Sequence, residues 1–85
     1  MYIEGYLHYS AEVDLIMLCD TEVGQYGLHC GDGVEVFDNG KWKHLAVEVC
    51  DGKDYETTWC LTDYKNVVLK NFEGMLARTD EFFKD

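Results

Sequence analysis

Cysteines and histidines are the residues of this 85-residue chain best suited to metal binding or covalent catalysis. The cysteines Cys19, Cys30, Cys50 and Cys60 lie 11, 20 and 10 positions apart. Structural zinc sites usually separate paired cysteines by only about two to four residues. His29 is adjacent to Cys30, and neighbouring residues of a strand point to opposite faces, so they would not readily share one ion. The sequence therefore predicts no metal site.

Cys30, between His29 and Gly31, is the strongest candidate for a nucleophile. Nucleophilic catalysis also requires a base oriented by a third group and donors for an oxyanion, and no pattern marks either. The run Gly31-Asp32-Gly33 lacks the lysine and the following helix of a phosphate-binding loop. No spacing distinguishes a catalytic pair of carboxylates. We therefore expect a protein that is not an enzyme and that needs no cofactor.

Charge is the strongest compositional signal, with 17 acids against 7 lysines and arginines for a net charge of −10. The first forty residues contain no lysine or arginine, and their acids are Glu4, Glu12, Asp14, Asp20, Glu22, Asp32, Glu35 and Asp38. Nucleic acids and anionic membranes are bound through basic residues, so direct binding of either is not expected. These eight acids, together with Trp42, are predicted to contact a basic protein. The alternative is an acidic surface that only maintains solubility.

The N-terminal residues carry neither the basic nor the apolar region of a signal peptide. The longest apolar run, Leu15–Cys19, is too short to span a bilayer. We therefore expect a cytoplasmic protein whose four cysteines are reduced thiols.

Turn signals at intervals of about 8–12 residues divide the chain into short strands, as in small barrels and sandwiches. The predicted strands are Tyr2–Tyr9, Leu15–Cys19, Val34–Phe37, Lys41–Cys50, Thr57–Thr62, Val67–Leu69 and Met75–Arg78. Asn39-Gly40 predicts a hairpin with a type I′ turn, whereas Thr21–Gly27, with its two glycines, is predicted to be a loop. Thr79 is a possible N-cap for one helical turn at the C-terminus.

These elements predict one mostly-β domain over residues 1–85. The expected fold is a small SH3-like antiparallel barrel of five to six strands with at most one short C-terminal helical turn, since closure removes exposed edges. An OB-type barrel is the second choice. An unpaired edge strand, for which Tyr2–Tyr9 is a candidate, could pair with a second copy to give a homodimer.

Six tyrosines and two tryptophans are many for a chain of this length. In SH3-like barrels an aromatic groove binds polyproline segments beside acidic loops. The alternative is that aromatic rings fill the core and extend their polar tips to solvent. Trp59 is expected in the core, and the position of Trp42 after the hairpin turn leaves both possibilities open.

Several of these segments together resemble a family of short uncharacterised domains found in bacterial mobile elements and phages. The resemblance lies in Gly27-Leu28-His29-Cys30-Gly31-Asp32, Val34-Glu35-Val36, Gly40-Lys41-Trp42, Trp59-Cys60-Leu61 and Gly74-Met75-Leu76-Ala77-Arg78. It implies a small β-barrel with a structural turn at Leu28–Gly31, in which His29 would be buried and hydrogen-bonded to the backbone.

The leading functional hypothesis is an acidic phage or mobile-element protein that binds and inhibits a host nucleic-acid-binding enzyme, such as a CRISPR effector. Its carboxylates would take the place of phosphates on the basic surface of that enzyme. The alternative is an SH3-like peptide-binding or accessory interaction module. Acids gathered on one face would favour the inhibitor, whereas scattered acids and clustered tyrosines would favour the interaction module.

Overall fold

The computed structural model describes residues 2–51 and 57–80, without the side chains of residues 50, 51, 57 and 58. These residues form a single antiparallel sheet, and no helix occurs among them. The strands are β1 Tyr2–Ser10, β2 Leu15–Thr21, β3 Gly24–Leu28, β4 Gly33–Asp38, β5 Lys41–Asp51, β6 Thr57–Thr62, β7 Val68–Leu69 and β8 Leu76–Asp80. The prediction of a mostly-β domain is confirmed.

The sheet consists of two meanders joined by the last strand. Its order is β3-β2-β1-β8-β4-β5-β6-β7, so β8 lies between β1 and β4. It contains eight strands, more than the five to six expected, and within the described residues it does not close into a barrel. Strand β1 has a neighbour on each side, so Tyr2–Tyr9 is not an edge. The edges of the described sheet are β3 and β7.

One face of the sheet, here called the inner face, surrounds a single core. Alternate residues of the strands point into it, as the period of two requires. The core contains Leu7, Ile16, Leu18, Leu28, Val34, Val36, Leu45, Val47, Leu61, Phe72 and Ala77. Trp59 packs against this cluster, in agreement with the expectation for that residue. Because seven of the eight strands contribute core residues and the eighth, β7, packs Leu69 against them, the meanders share one core.

The tight turns follow local backbone preferences. Asn39 and Gly40 connect β4 to β5 with φ values of 51° and 75°, and Asp38 pairs with Lys41. Positive φ at both central residues defines the type I′ turn that the sequence predicted. The predicted loop at Thr21–Gly27 was wrong, because Gly24–Leu28 forms β3 after a short turn.

Of the helical turn predicted at the C-terminus, only the first residues, Thr79 and Asp80, lie within the described part of the chain. Thr79 belongs to β8, so it does not cap a helix. Its hydroxyl is buried and donates to the carbonyl oxygen of Gly33 at 2.8 Å, which ties β8 to β4. The remainder of the predicted helical turn, residues 81–85, lies outside the described residues. No helix long and apolar enough to cross a membrane is found in the part of the chain that the structure describes.

Candidate outer-face binding site

A row of apolar side chains crosses the face of the sheet opposite the core, here called the outer face. Tyr6 pairs with Cys19 on one side and with Leu76 on the other. Phe37 pairs with Trp42. Val36 pairs with Ala77, so the next position along these two antiparallel strands places Phe37 beside Leu76. Residues opposite each other in a sheet point to the same face. We call this row the outer stripe, and it consists of Cys19, Tyr6, Leu76, Phe37 and Trp42.

Solvent reaches much of the outer stripe. Tyr6 is 49% exposed and Phe37 is 40% exposed, while Cys19, Leu76 and Trp42 are half-buried. Antiparallel sheets that cover a core on one side usually present polar residues on the other. Leu15 and Met17 extend the apolar surface on β2. Contiguous exposed apolar surface of this kind marks interaction sites in soluble proteins.

Arg78 is held in place beside the outer stripe by two aromatic rings and a carboxylate. Its guanidinium carbon lies 3.9 Å from the ring centre of Trp42 and 4.3 Å from that of Tyr2. Its Nε donates to Glu35 Oε1 at 3.1 Å. We call this arrangement the Arg78 clamp. Stacking of the planar guanidinium fixes both rings before any partner arrives.

Trp42 is further fixed by Phe37, whose ring meets it edge-on with 5.2 Å between ring centres. Of the nine predicted binding residues, Trp42 is thus placed on the outer face, half-buried within an aromatic cluster. The pKa of Tyr2 is raised, first by desolvation and then by the charge of Glu35, so its phenol stays neutral.

A groove of about 420 Å³ lies next to the clamp. Three of the predicted acids, Glu4, Asp20 and Glu22, line it. The remaining lining residues are Tyr2, Ile3, Val23 and Arg78. Acidic side chains beside aromatic rings can hold a basic side chain of a partner by charge and by cation–π contact.

Four other predicted acids make internal contacts within the structure. Asp14 accepts hydrogen bonds from the Tyr9 hydroxyl at 2.7 Å and from Trp59 Nε1 at 3.0 Å. These bonds, that from Tyr9 foremost, lower the pKa of Asp14. They also join the β1–β2 turn to β6.

Asp32, Glu35 and Asp38 are held in the same way. Asp32 accepts the backbone N–H of His29 at 2.9 Å, and Asp38 pairs with Lys43 at 2.9 Å. Glu35 pairs with Arg78, as described for the clamp. The eighth acid, Glu12, is exposed in the β1–β2 turn. The eight acids therefore do not form one face, and only three of them line the groove.

Sequence reasoning missed Tyr2, Tyr6, Phe37, Leu76 and Arg78 as members of this site. Their alternation with core residues along β1, β4 and β8 would have placed them on the outer face if the strand register had been known. The neighbours of Arg78 in the clamp are distant in sequence, so only the sheet order brings them together.

Backbone hydrogen bonds hold the turn between β3 and β4. The N–H of Gly31 donates to Val47 at 2.7 Å, and the N–H of Asp32 donates to the carbonyl oxygen of His29 at 2.9 Å. His29 is exposed, so the expectation that it is buried was wrong. Asp32 rather than a buried imidazole closes the turn, and the His29 ring extends into solvent with its Nδ1 3.8 Å from Asp32.

The cysteines differ from one another. Cys30 is exposed and donates to Glu48 at 3.4 Å, and this hydrogen bond is the main cause of the raised pKa of its thiol. A raised pKa is the opposite of nucleophile activation. Burial raises the pKa of the Cys19 thiol. Cys60 is fully buried and disulfide-bonded, so the expectation of four reduced thiols was wrong for it.

Metal ligands do not converge in the part of the chain that the structure describes. Within it, no group of three or more histidine, cysteine, aspartate or glutamate side chains could hold a metal ion.

Comparison with known proteins gives one family. A family model described as a domain of unknown function, DUF5348, matches residues 5–79. Searches of the curated proteins and of the solved structures found no significant match. The matched residues run from β1 to β8 and include the whole outer stripe and all of the clamp except Tyr2. The chain therefore belongs to the DUF5348 family.

Proposed function

We propose that this domain is a protein-binding module whose outer face docks on a partner that carries basic side chains. The observation that carries the proposal is the exposure of Tyr6 and Phe37 in a continuous apolar row on the solvent side of the sheet. Aromatic residues and arginine dominate the energetics of protein interfaces. The Arg78 clamp fixes two of the rings, which lowers the entropy lost on binding.

The groove beside the clamp supports a basic partner. Glu4, Asp20 and Glu22 approach it from β1 and from the β2–β3 hairpin. None of the three takes part in the ion pairs found among the described residues. The net charge of −10 attracts a basic surface over a long range and speeds association at low salt. The outer stripe would then provide the apolar contact that persists when salt screens the charges.

A narrower version of the proposal is that the partner is a nucleic-acid-processing enzyme, such as a CRISPR effector, which the domain inhibits. The observation that favours this version is the absence of lysine and arginine from the first forty residues. Groove carboxylates would occupy positions that phosphates take in such an enzyme. The scatter of the other acids favours the general interaction module.

The first experiment is a pull-down with the tagged domain at low salt and at about 0.5 M salt, where screening acts within a few ångströms. The captured protein is purified, and its affinity is measured for the wild type and for variants. We expect Phe37→Ser or Tyr6→Ser to weaken binding by about tenfold or more, as loss of an interface anchor does. Val68→Ser is the matched control, because Val68 is 59% exposed on β7, away from the outer stripe.

A second set of variants tests the groove. Neutralising Glu4, Asp20 and Glu22 together to glutamine and asparagine should remove most of the salt dependence, whereas Glu12→Gln should leave it unchanged. Unaltered affinity in both outer-stripe variants would refute the outer face as the docking surface. Competition by DNA or guide RNA would support the narrower version, and binding that nucleic acid does not displace would contradict it.

A further inference from the structure

A second cleft, of about 250 Å³, opens where β4, β5 and β6 lie side by side. Gly33 pairs with Ala46, and Ala46 pairs with Thr62, so these three residues form one row across the strands. No side chain in the row is larger than that of threonine. We call this feature the Ala46 cleft.

The Ala46 cleft shares the outer face with the outer stripe. Ala46 follows Trp42 by four residues on β5, and side chains an even number of residues apart point to the same face of a sheet. Four residues of a strand span about 13 Å. A single partner surface can therefore contact both features.

A carboxylate, an imidazole and a phenol line the Ala46 cleft, those of Asp63, His44 and Tyr64. Asp63 Oδ1 accepts three backbone N–H groups of the following turn, each at 2.9 Å. These bonds, that from Val67 most, lower the pKa of Asp63, so its carboxylate is charged at neutral pH. Asp63 Oδ2 takes part in none of the hydrogen bonds or ion pairs found among the described residues.

The Tyr64 ring is held in position without a ligand. Its backbone N–H donates to Thr62 Oγ1 at 3.0 Å, and its hydroxyl donates to Glu48 Oε1. Tyr64 is nevertheless 68% exposed, so a partner can reach the ring. A wall that is fixed before binding reduces the entropy lost when a ligand enters.

Size and charge together restrict the occupant of the Ala46 cleft. Sites for drug-sized ligands measure about 300–1,000 Å³, so a cleft of about 250 Å³ suits a single side chain. No lysine or arginine is among the described residues that line it, and Asp63 contributes a negative charge. A planar guanidinium stacks on rings and hydrogen-bonds to a carboxylate, whereas the ammonium of lysine is compact and strongly hydrated.

We propose that the Ala46 cleft binds an arginine side chain of the partner. Its guanidinium lies against the rings of His44 and Tyr64 and donates to Asp63 Oδ2. The inference rests on the proposed function, and it names the residue that the partner places about 13 Å from Trp42 along β5.

The test uses the blocked peptide acetyl-Gly-Arg-Gly-amide and the same peptide with lysine or citrulline in place of arginine. Citrulline keeps the planar group and loses the charge, whereas lysine keeps the charge and loses the planar group. Binding to the complete chain is followed by NMR shifts of the backbone amides of residues 44–48 and 60–66 at constant ionic strength.

Two variants alter the cleft in different ways. Asp63→Asn removes the charge, and Ala46→Leu fills the cleft without altering Asp63. Val13→Leu is the control for added bulk, because Val13 is 55% exposed in the β1–β2 turn. Phe37→Ser shows whether the peptide occupies the outer stripe instead.

We expect the arginine peptide to bind with a dissociation constant of roughly millimolar, as a ligand of this size can. The lysine and citrulline peptides should bind about fivefold more weakly or worse, because each lacks either the planar group or the charge. Ala46→Leu and Asp63→Asn should weaken the arginine peptide by a similar factor, whereas Val13→Leu and Phe37→Ser should not. If Asp63→Asn does not fold, Ala46→Leu decides the outcome.

Absence of shifts at the cleft with the arginine peptide well above millimolar concentration would overturn the inference. Equal binding of the three peptides, or arginine binding that persists in Ala46→Leu, would also overturn it. The purified partner separates the two proposals. Affinity lost in Phe37→Ser but kept in Ala46→Leu would overturn the arginine contact and leave the outer face as the docking surface. Affinity lost in Ala46→Leu but kept in both outer-stripe variants would support the cleft and refute the outer stripe.

Discussion

At the scale of single residues, Gly5 determines how closely β1 and β2 approach. A Cβ at this position would overlap with the backbone carbonyl oxygen of Cys19 and lie 2.9 Å from Thr21 Cγ2. The Cys19 carbonyl is backbone, so it cannot turn aside as a flexible side chain could. Gly5 is buried on the inner face between Ile3 and Leu7.

We predict that Gly5→Ala lowers the free energy of unfolding by about 1–3 kcal/mol, the usual cost of forcing an extra methyl group into packed structure. The measurement is urea denaturation followed by tryptophan fluorescence. Gly27→Ala is the matched control, because the atoms nearest to its added Cβ belong to the flexible side chains of Leu15 and Met17. Equal losses in the two variants would show that backbone overlap at Gly5 is not the cause.

At the scale of elements, the β4–β5 hairpin presents Phe37 and Trp42 to the outer stripe. The turn that connects them consists of Asn39 and Gly40, both with positive φ. The Asp38–Lys43 ion pair at 2.9 Å lies beside it. The turn geometry therefore fixes the register in which the two aromatic rings meet.

We predict that Gly40→Ala costs about 1–2 kcal/mol of stability, since a residue with a Cβ is strained in the left-handed region. Asn39→Gly should be close to neutral, because glycine adopts positive φ without strain. Thermal unfolding of both variants provides the measurement. Near-UV circular dichroism of the Phe37–Trp42 pair should change in Gly40→Ala and persist in Asn39→Gly. A loss as large in Asn39→Gly would contradict this account of the turn.

The same hairpin shows which features of the fold can be predicted from sequence. The type I′ turn at Asn39-Gly40 can be predicted because it depends on the conformational preferences of these two residues themselves. Strand β3 was missed because Gly24 and Gly27 weaken strand preference, and pairing with β2 overrides that local signal. The position of β8 between β1 and β4 depends on pairing between the two ends of the chain, which no local pattern encodes.

The candidate site was predictable only in part for the same reason. Acids could be counted from the sequence, but their partners could not. Glu35 was interpreted as a binding acid, yet its contact Arg78 lies on the last strand. Trp42 was singled out from its position after the hairpin turn, whereas the outer stripe required the register of five strands. A register shift of one residue would have exchanged the stripe with the core.

At the scale of the whole molecule, the acids act in two opposing ways. A net charge of −10 repels itself in the compact state, and this repulsion weakens as acids are protonated. Protonation of three hydrogen-bonded carboxylates has the opposite effect on stability, because their charged forms make bonds that hold the fold. Asp63 accepts the N–H groups of Val67, Lys65 and Asn66, and these bonds lower its pKa, that from Val67 most. The pKa values of Glu73 and Asp14 are lowered chiefly by the Tyr9 N–H and the Tyr9 hydroxyl.

A carboxyl group whose pKa is lower in the folded state stabilises the fold above its unfolded pKa of about 4. That stabilisation is lost as the pH falls through the lowered value in the folded state. We therefore predict that the Asp63→Asn, Glu73→Gln double variant is less stable than the wild type at pH 7, and that this difference shrinks between about pH 4 and pH 2. Urea denaturation across this range provides the measurement.

Comparing the two proteins at each pH separates the bonds of Asp63 and Glu73 from the global repulsion, because all other acids are common to both. A Glu12→Gln, Glu22→Gln variant removes the same number of charges from exposed positions and should track the wild type more closely. A difference between the double variant and the wild type that stays constant from pH 7 to pH 2 would show that Asp63 and Glu73 do not stabilise the fold through their charged forms. A shrinking difference would assign the acid sensitivity of the domain to the loop of Asp63 and to the Glu73–β1 contact, both of which lie away from the outer stripe.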